Sequence, residues 1–164
     1  MYLDNEKAEQ VIRKYADMIY RIAFHYVKNK PDADDILQDI WLLLITKDIP
    51  DDDEHLKRWL IHSTINKCKM HHRSFWQRNT EGLENHYGAL KKQEIAPDEY
   101  GIMDKIRRLH ADQRNVIYLY YYEGYTIAGI AEILGKNPNT VSSLLQRARK
   151  KLKNILEEGG INHA

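Results

Sequence analysis

Little in this chain could lock it covalently or carry it through a membrane. A single cysteine, Cys68, among 164 residues excludes an intramolecular disulfide framework and fits a reducing compartment. The longest apolar run is the seven residues of 116–122, far short of the ~20 that a spanning helix needs. The opening MYLDNEKAEQ has neither the basic patch nor the apolar stretch of an export signal. These absences predict a soluble, cytoplasmic protein with no membrane insertion. An excess of one charge is also missing. With 25 Lys and Arg against 24 Asp and Glu, the formal net charge of +1 argues, taken alone, against a nucleic-acid binder. What is present is an apolar fraction of 43%, enough for a core in one domain or two small ones.

Turn formers are scarce as well. The prolines are Pro31, Pro50, Pro97 and Pro138, and no glycine precedes Gly82. With period-2 alternation nearly absent, this predicts an all-α chain. A first helix from about Glu6 to Lys28 carries Val11, Ile12, Tyr15, Ile19, Ile22, Ala23 and Tyr26 on one stripe. Pro31 suits the start of a second helix, with Ile36, Leu37, Ile40 and Leu44 facing the core. A third runs from about Asp53 into 73–78, and Trp41 and Trp59 read as core residues. Residues 5–79 thus form a three- to four-helix bundle, 80–98 a flexible linker, and 99–158 a second helical domain.

That second domain holds the sharpest local signal. Thr126 can cap a helix that Gly135 ends, and Asn137 then caps another with Pro138 at its first position. Two helices joined by GKNPN make a helix-turn-helix, whose second member enters the major groove. Its stripe of Val141, Leu145, Ala148, Leu152 and Ile155 faces inward, leaving Asn139, Ser142, Ser143, Gln146 and Arg147 for base edges and Arg149 and Lys150 for phosphate. The run VIYLYYY could be a buried strand by composition; its helical neighbours and the lack of a partner strand favour helix.

The near-zero net charge hides a segregation. Residues 31–54 carry nine acids and one base, Lys47, whereas 55–80 carry six bases, four histidines and no acid. The last helix adds Arg147, Arg149, Lys150, Lys151 and Lys153. A solvated helix face explains any one such run, but two basic helices, one in a helix-turn-helix, point to DNA phosphate.

The stretches DADDILQDIWLLL (32–44), WLIHSTIN (59–66) followed by Arg73, and the block 114–152, with IAEILGKNPNTVSSLLQRARKKL inside it, resemble one family in this order and spacing. It is that of bacterial RNA polymerase sigma factors of the small extracytoplasmic-function type, group IV of the sigma-70 family. The resemblance implies two helical domains, sigma regions 2 and 4. Region 2 would bind the clamp helices of the polymerase β′ subunit and the promoter −10 element. Region 4 would read the −35 element and touch the β flap. An anti-sigma factor is an implied partner; catalysis and a cofactor are not implied. On the second helix, Asp35, Gln38, Asp39 and Leu42 then form an acidic surface with one apolar anchor for a basic partner helix. On the third, Asn66, Lys69, Met70 and Arg73 suit the capture of an unstacked base beside a basic strip, while Phe75 and Trp76 are better placed for packing than for stacking. Ser142 and Leu144 stand where the family is often basic, Gly129 where Glu is common, and His110-Ala111 where Leu-Pro is usual. These departures thin the recognition surface.

Other classes find less support. Cys68, His71 and His72 do not complete a tetrahedral metal set, and Cys68 on a helix is most simply a packing residue. A stand-alone repressor or activator shares the DNA contact but gives the acidic segment 31–54 no partner. A pure interaction protein would leave the basic helices without a role.

Overall fold

The computed structural model describes residues 1–27, 29–80, 105–106 and 108–160, and their side chains except those of 72–80, 159 and 160. The described residues are mostly helical and include no strand. The chain divides into two compact units, Met1–Ile95 and Ala96–Ala164. Expected linker residues 81–98 lie outside the described residues.

In the first unit, α1 (Asn5–Val27), α2 (Lys30–Thr46) and α3 (Asp53–Thr80) pack each against the other two. Each start is set by a short polar side chain that accepts from an otherwise unpaired amide. Asp4 accepts from Lys7 N at 2.8 Å, Asn29 from Asp32 N at 2.9 Å, and Asp52 from His55 N at 3.1 Å. Ile19, Ile22, Ile36, Ile40, Leu44, Leu60 and Ile61 close the centre, each worth roughly 1.5–3 kcal/mol of burial. A small-residue cluster of Ala23, Ala33, Ile36 and Cys68 lets the helices approach closely, flanked by Tyr20, Phe24, Tyr26 and Val27. Trp41 and Trp59, expected in the core, are only half-buried, as is Leu37. Trp41 follows Ile40 by one residue, about 100° round the helix, so it cannot share the fully buried side that Ile40 occupies. Trp59 precedes the fully buried Leu60 by one residue and is likewise displaced from its side.

The second unit contains α4 (Ala111–Ile117), a π-helical turn (Tyr118–Tyr122), α5 (Ile127–Leu134) and α6 (Pro138–Gly160). The segment expected as plain helix is therefore helical but wound differently at its end. Glu123 N donates to Tyr118 O five residues back at 3.1 Å, and Gly124 then turns the chain with φ +75°. This winding keeps Tyr118 and Leu119 inside while Tyr121 and Tyr122 stand out. The corner between α5 and α6 follows the expected signals. Thr126 Oγ1 accepts from Gly129 N at 3.0 Å. Gly135 is left-handed at φ +63°, with its amide directed to Glu132 O and that of Lys136 to Ala131 O. Asn137 Oδ1 then accepts from Asn139 N at 2.8 Å and opens α6. Leu109, Val116, Leu119, Ile130, Val141, Leu145, Ala148 and Ile155 form the core, with Leu152 half-buried at its edge.

Candidate nucleic-acid interface

On α2 the apolar spacing decides which side is left for a partner. Ile36, Ile40 and Leu44 are fully buried, so Asp35 and Gln38 emerge exposed, Asp39 half-buried, and Leu42 53% exposed. An apolar side chain that accessible beside carboxylates lies on the outer face, not in the packing between helices.

The exposed side of α3 gathers Asn66, Lys69 and Met70, the last 58% exposed. Asn66 Nδ2 lies 3.4 Å from His62 Nδ1 one turn earlier. The side chains of Arg73, Phe75, Trp76 and His72, named with this surface, lie outside the described residues. His71 faces the other way, with Nε2 3.3 Å from Asp32 Oδ1 on α2. Cys68 is fully buried, and that burial pushes its thiol up to about 12. A thiol held protonated this firmly serves packing, not nucleophilic attack. Among the described residues no group of three His, Cys, Asp or Glu is placed to hold a metal ion.

On α6, Asn139, Ser143, Gln146, Arg147 and Lys150 are exposed and Ser142 is half-buried. Val141, Leu145 and Ala148 turn inward, so these polar groups share the outward side of the second helix of the helix-turn-helix. Arg149 is exposed too but leans out of that row. Its Nε donates to Tyr121 Oη at 2.5 Å, and its guanidinium lies 5.2 and 5.4 Å from the ring centroids of Tyr120 and Tyr121. The hydroxyl of Tyr121, foremost among several small influences, holds that guanidinium more firmly charged. Tyr121 was not among the residues singled out from sequence. The signal available was the placement of three consecutive tyrosines on a helix, which cannot all face inward.

Among the described residues no helix is long and apolar enough to cross a membrane. The sequence matches the family description "Sigma-70 region 2" over residues 11–78 and "Sigma-70, region 4" over residues 101–152. It is 27% identical over 155 residues to the ECF RNA polymerase sigma factor SigM of Mycobacterium tuberculosis, covering 93% of this chain and 79% of that one. With the RNA polymerase sigma factor SigV of Bacillus subtilis it shares 29% identity over 145 residues, 82% and 81% of the two chains. The fold resembles that of the sigma factor RpoE solved with the anti-sigma factor NepR from Bartonella quintana, with a TM-score of 0.66 at 22% identity over 91% of this chain and 96% of that one. CnrH, solved with the cytosolic domain of CnrY, gives 0.63 at 21% identity over 94% and 90%. Two family descriptions in the expected order, and relatives matched along most of their length, place this chain in the sigma-70 family, among its extracytoplasmic-function sigma factors.

Proposed function

We propose that this chain binds core RNA polymerase and directs it to specific promoters, with residues 5–79 acting as region 2, 80–98 as a linker and 99–158 as region 4. Asp35, Gln38, Asp39 and Leu42 meet the β′ clamp helices, where carboxylates and one apolar anchor suit a basic helix. Asn66, Lys69, Met70 and Arg73 take the −10 element, the amide reading a base edge and the cations holding phosphates. Asn139, Ser142, Ser143, Gln146 and Arg147 face the −35 bases; Arg149 and Lys150 face the backbone there. The chain itself performs no catalysis, acts in the cytoplasm, and is bound by an anti-sigma factor, a reading supported by the sigma factor RpoE having been solved in complex with the anti-sigma factor NepR.

The observation that carries this reading is that an outward acidic helix bearing Leu42 and an outward basic helix-turn-helix occur in one chain of this family. A regulator acting without polymerase leaves the first of these without a partner.

The test is transcription by core bacterial polymerase with and without the protein on genomic DNA, mapped by sequencing the transcripts. A one-to-one complex initiating at a small set of shared promoters is expected. Arg147→Ala with Lys150→Ala should reduce that transcription most at low salt and leave it less salt-dependent than wild type, since the lost Lys150 phosphate contact removes about 0.9 from the salt-dependence slope. Tight operator binding by a free dimer that ignores polymerase would overturn the proposal.

A further inference from the structure

Arg149 is held unlike its neighbours on α6. No described carboxylate pairs with it, whereas Lys153, one turn on, reaches Glu157 at 4.0 Å. Its contacts are the hydroxyl and ring of Tyr121 and the ring of Tyr120, all neutral. They take away rotamer freedom without compensating the charge, so the ordering that an arginine normally undergoes on meeting an anion is already complete. Tyr121 Oη accepts from Nε and keeps its own proton to donate, and the residue is 59% exposed. An O–H donor and a fixed guanidinium thus stand side by side at the surface.

Their place on the helix selects the anion. At about 100° per residue, Arg149 lies roughly 20° round the axis from Ser142 and 60° from Gln146. It therefore borders the outward row, with Lys150 exposed beside it. A line of positive charge along a helix that presents amides and hydroxyls suits a polyanion better than a single carboxylate.

We propose that Tyr121 and Arg149 form one phosphate-binding unit at the edge of the −35-reading face. The tyrosine hydroxyl fixes the guanidinium, and both groups donate to the same DNA backbone phosphate. This rests on the DNA-binding role proposed above and extends it to a residue outside the helix-turn-helix. Tyr121 is both a phosphate ligand and the positioning residue for Arg149.

The experiment uses the full chain assembled with core polymerase, on a promoter duplex identified by transcript mapping, with affinity measured across a potassium chloride series. R149A is expected to weaken binding about tenfold and to lower the salt slope by about 0.9. Y121F should weaken binding about threefold, and the double variant should bind more weakly than R149A by clearly less than that factor, because the positioning part of the Tyr121 loss disappears with Arg149. R149K should keep the slope yet shrink the effect of Y121F to its direct phosphate contact, a readout that remains if R149A fails to fold. An unchanged slope for R149A with weaker association to core polymerase would overturn the proposal, assigning Arg149 to a protein contact along the groove lined by Ile117, Leu152 and Leu156. Multiplying losses for Y121F and R149A would overturn it equally. Failure of the wild-type chain to initiate with core polymerase would refute the sigma assignment itself, and this unit with it.

Discussion

His71 Nε2 stands 3.3 Å from Asp32 Oδ1, tying the exposed stretch of α3 to the first turn of α2. Asp32 also accepts from Asn29 Nδ2 at 2.7 Å, while its amide donates to Asn29 Oδ1, so one acid joins a helix cap and a second helix. Asn29→Ala removes the cap and loosens Asp32, and is expected to cost about 1 kcal/mol. Thermal unfolding of the full chain checks it; an unchanged midpoint would show that the cap is dispensable.

A second tie joins α1 to the start of α3. Tyr15 Oη donates to Asp53 Oδ1 at 2.6 Å, and Lys14 Nζ sits 3.0 Å from the same carboxylate. The tyrosine hydrogen bond, then the lysine, holds the Asp53 carboxyl below its ordinary value of 3.8. Because the folded pKa is depressed, the stabilisation is fully present above 3.8 and fades as pH falls through the lower folded value. Tyr15→Phe should therefore reduce stability near neutral pH while converging with wild type in strong acid. Melting curves taken from pH 7 downward would show this; a constant gap at every pH would contradict it.

Burial of Cys68, with its thiol near 12, predicts inertness toward thiol reagents at pH 8. Labelling should proceed at the rate at which the first unit opens and accelerate in denaturant. Rapid labelling of the folded chain would disprove the packing role.

Two glycines of the helix-turn-helix should respond differently to alanine. Gly135 holds φ +63°, where a Cβ is strained, so Gly135→Ala should cost about 1 kcal/mol, or several degrees in the melting of a unit this small. Gly129 lies in regular helix, and a Cβ there would come 3.3 Å from Thr126 Oγ1. Its gain in helix propensity, about 1 kcal/mol at most, is offset by the crowded cap, so Gly129→Ala should fall within about 0.5 kcal/mol of wild type. Calorimetry on the two variants would separate them.

The local signals proved the most readable. Asn29 with Pro31, Thr126, and Asn137 with Pro138 each set a helix start through a side chain reaching no more than three residues, and Gly135 ends a helix through its left-handed backbone, all within segments that sequence displays directly. The apolar stripes of α2 and α6 likewise marked which sides face outward, with Leu37, Ser142 and Leu152 at the half-buried margins. Contacts between distant segments left no such trace. Nothing in the order of residues joins Tyr15 to Asp53 or Arg149 to Tyr121, because each pair meets only after helices pack. The π-helical turn was hidden for a related reason. Its wider ring is chosen by which tyrosines the core accepts, and VIYLYYY has the same composition whichever way it winds.

That wider ring makes chain length, rather than side-chain chemistry, the variable that sets the course of the backbone in 118–122. Exchanging one aromatic for another there leaves the phase of the helix intact. Removing one residue would let the turn close as ordinary α-helix, absorbing the deletion within the ring but taking away the extra residue that places position 121 against α6. The backbone there behaves as a spacer of fixed count, with the hydroxyl at 121 a group whose chemistry matters as well.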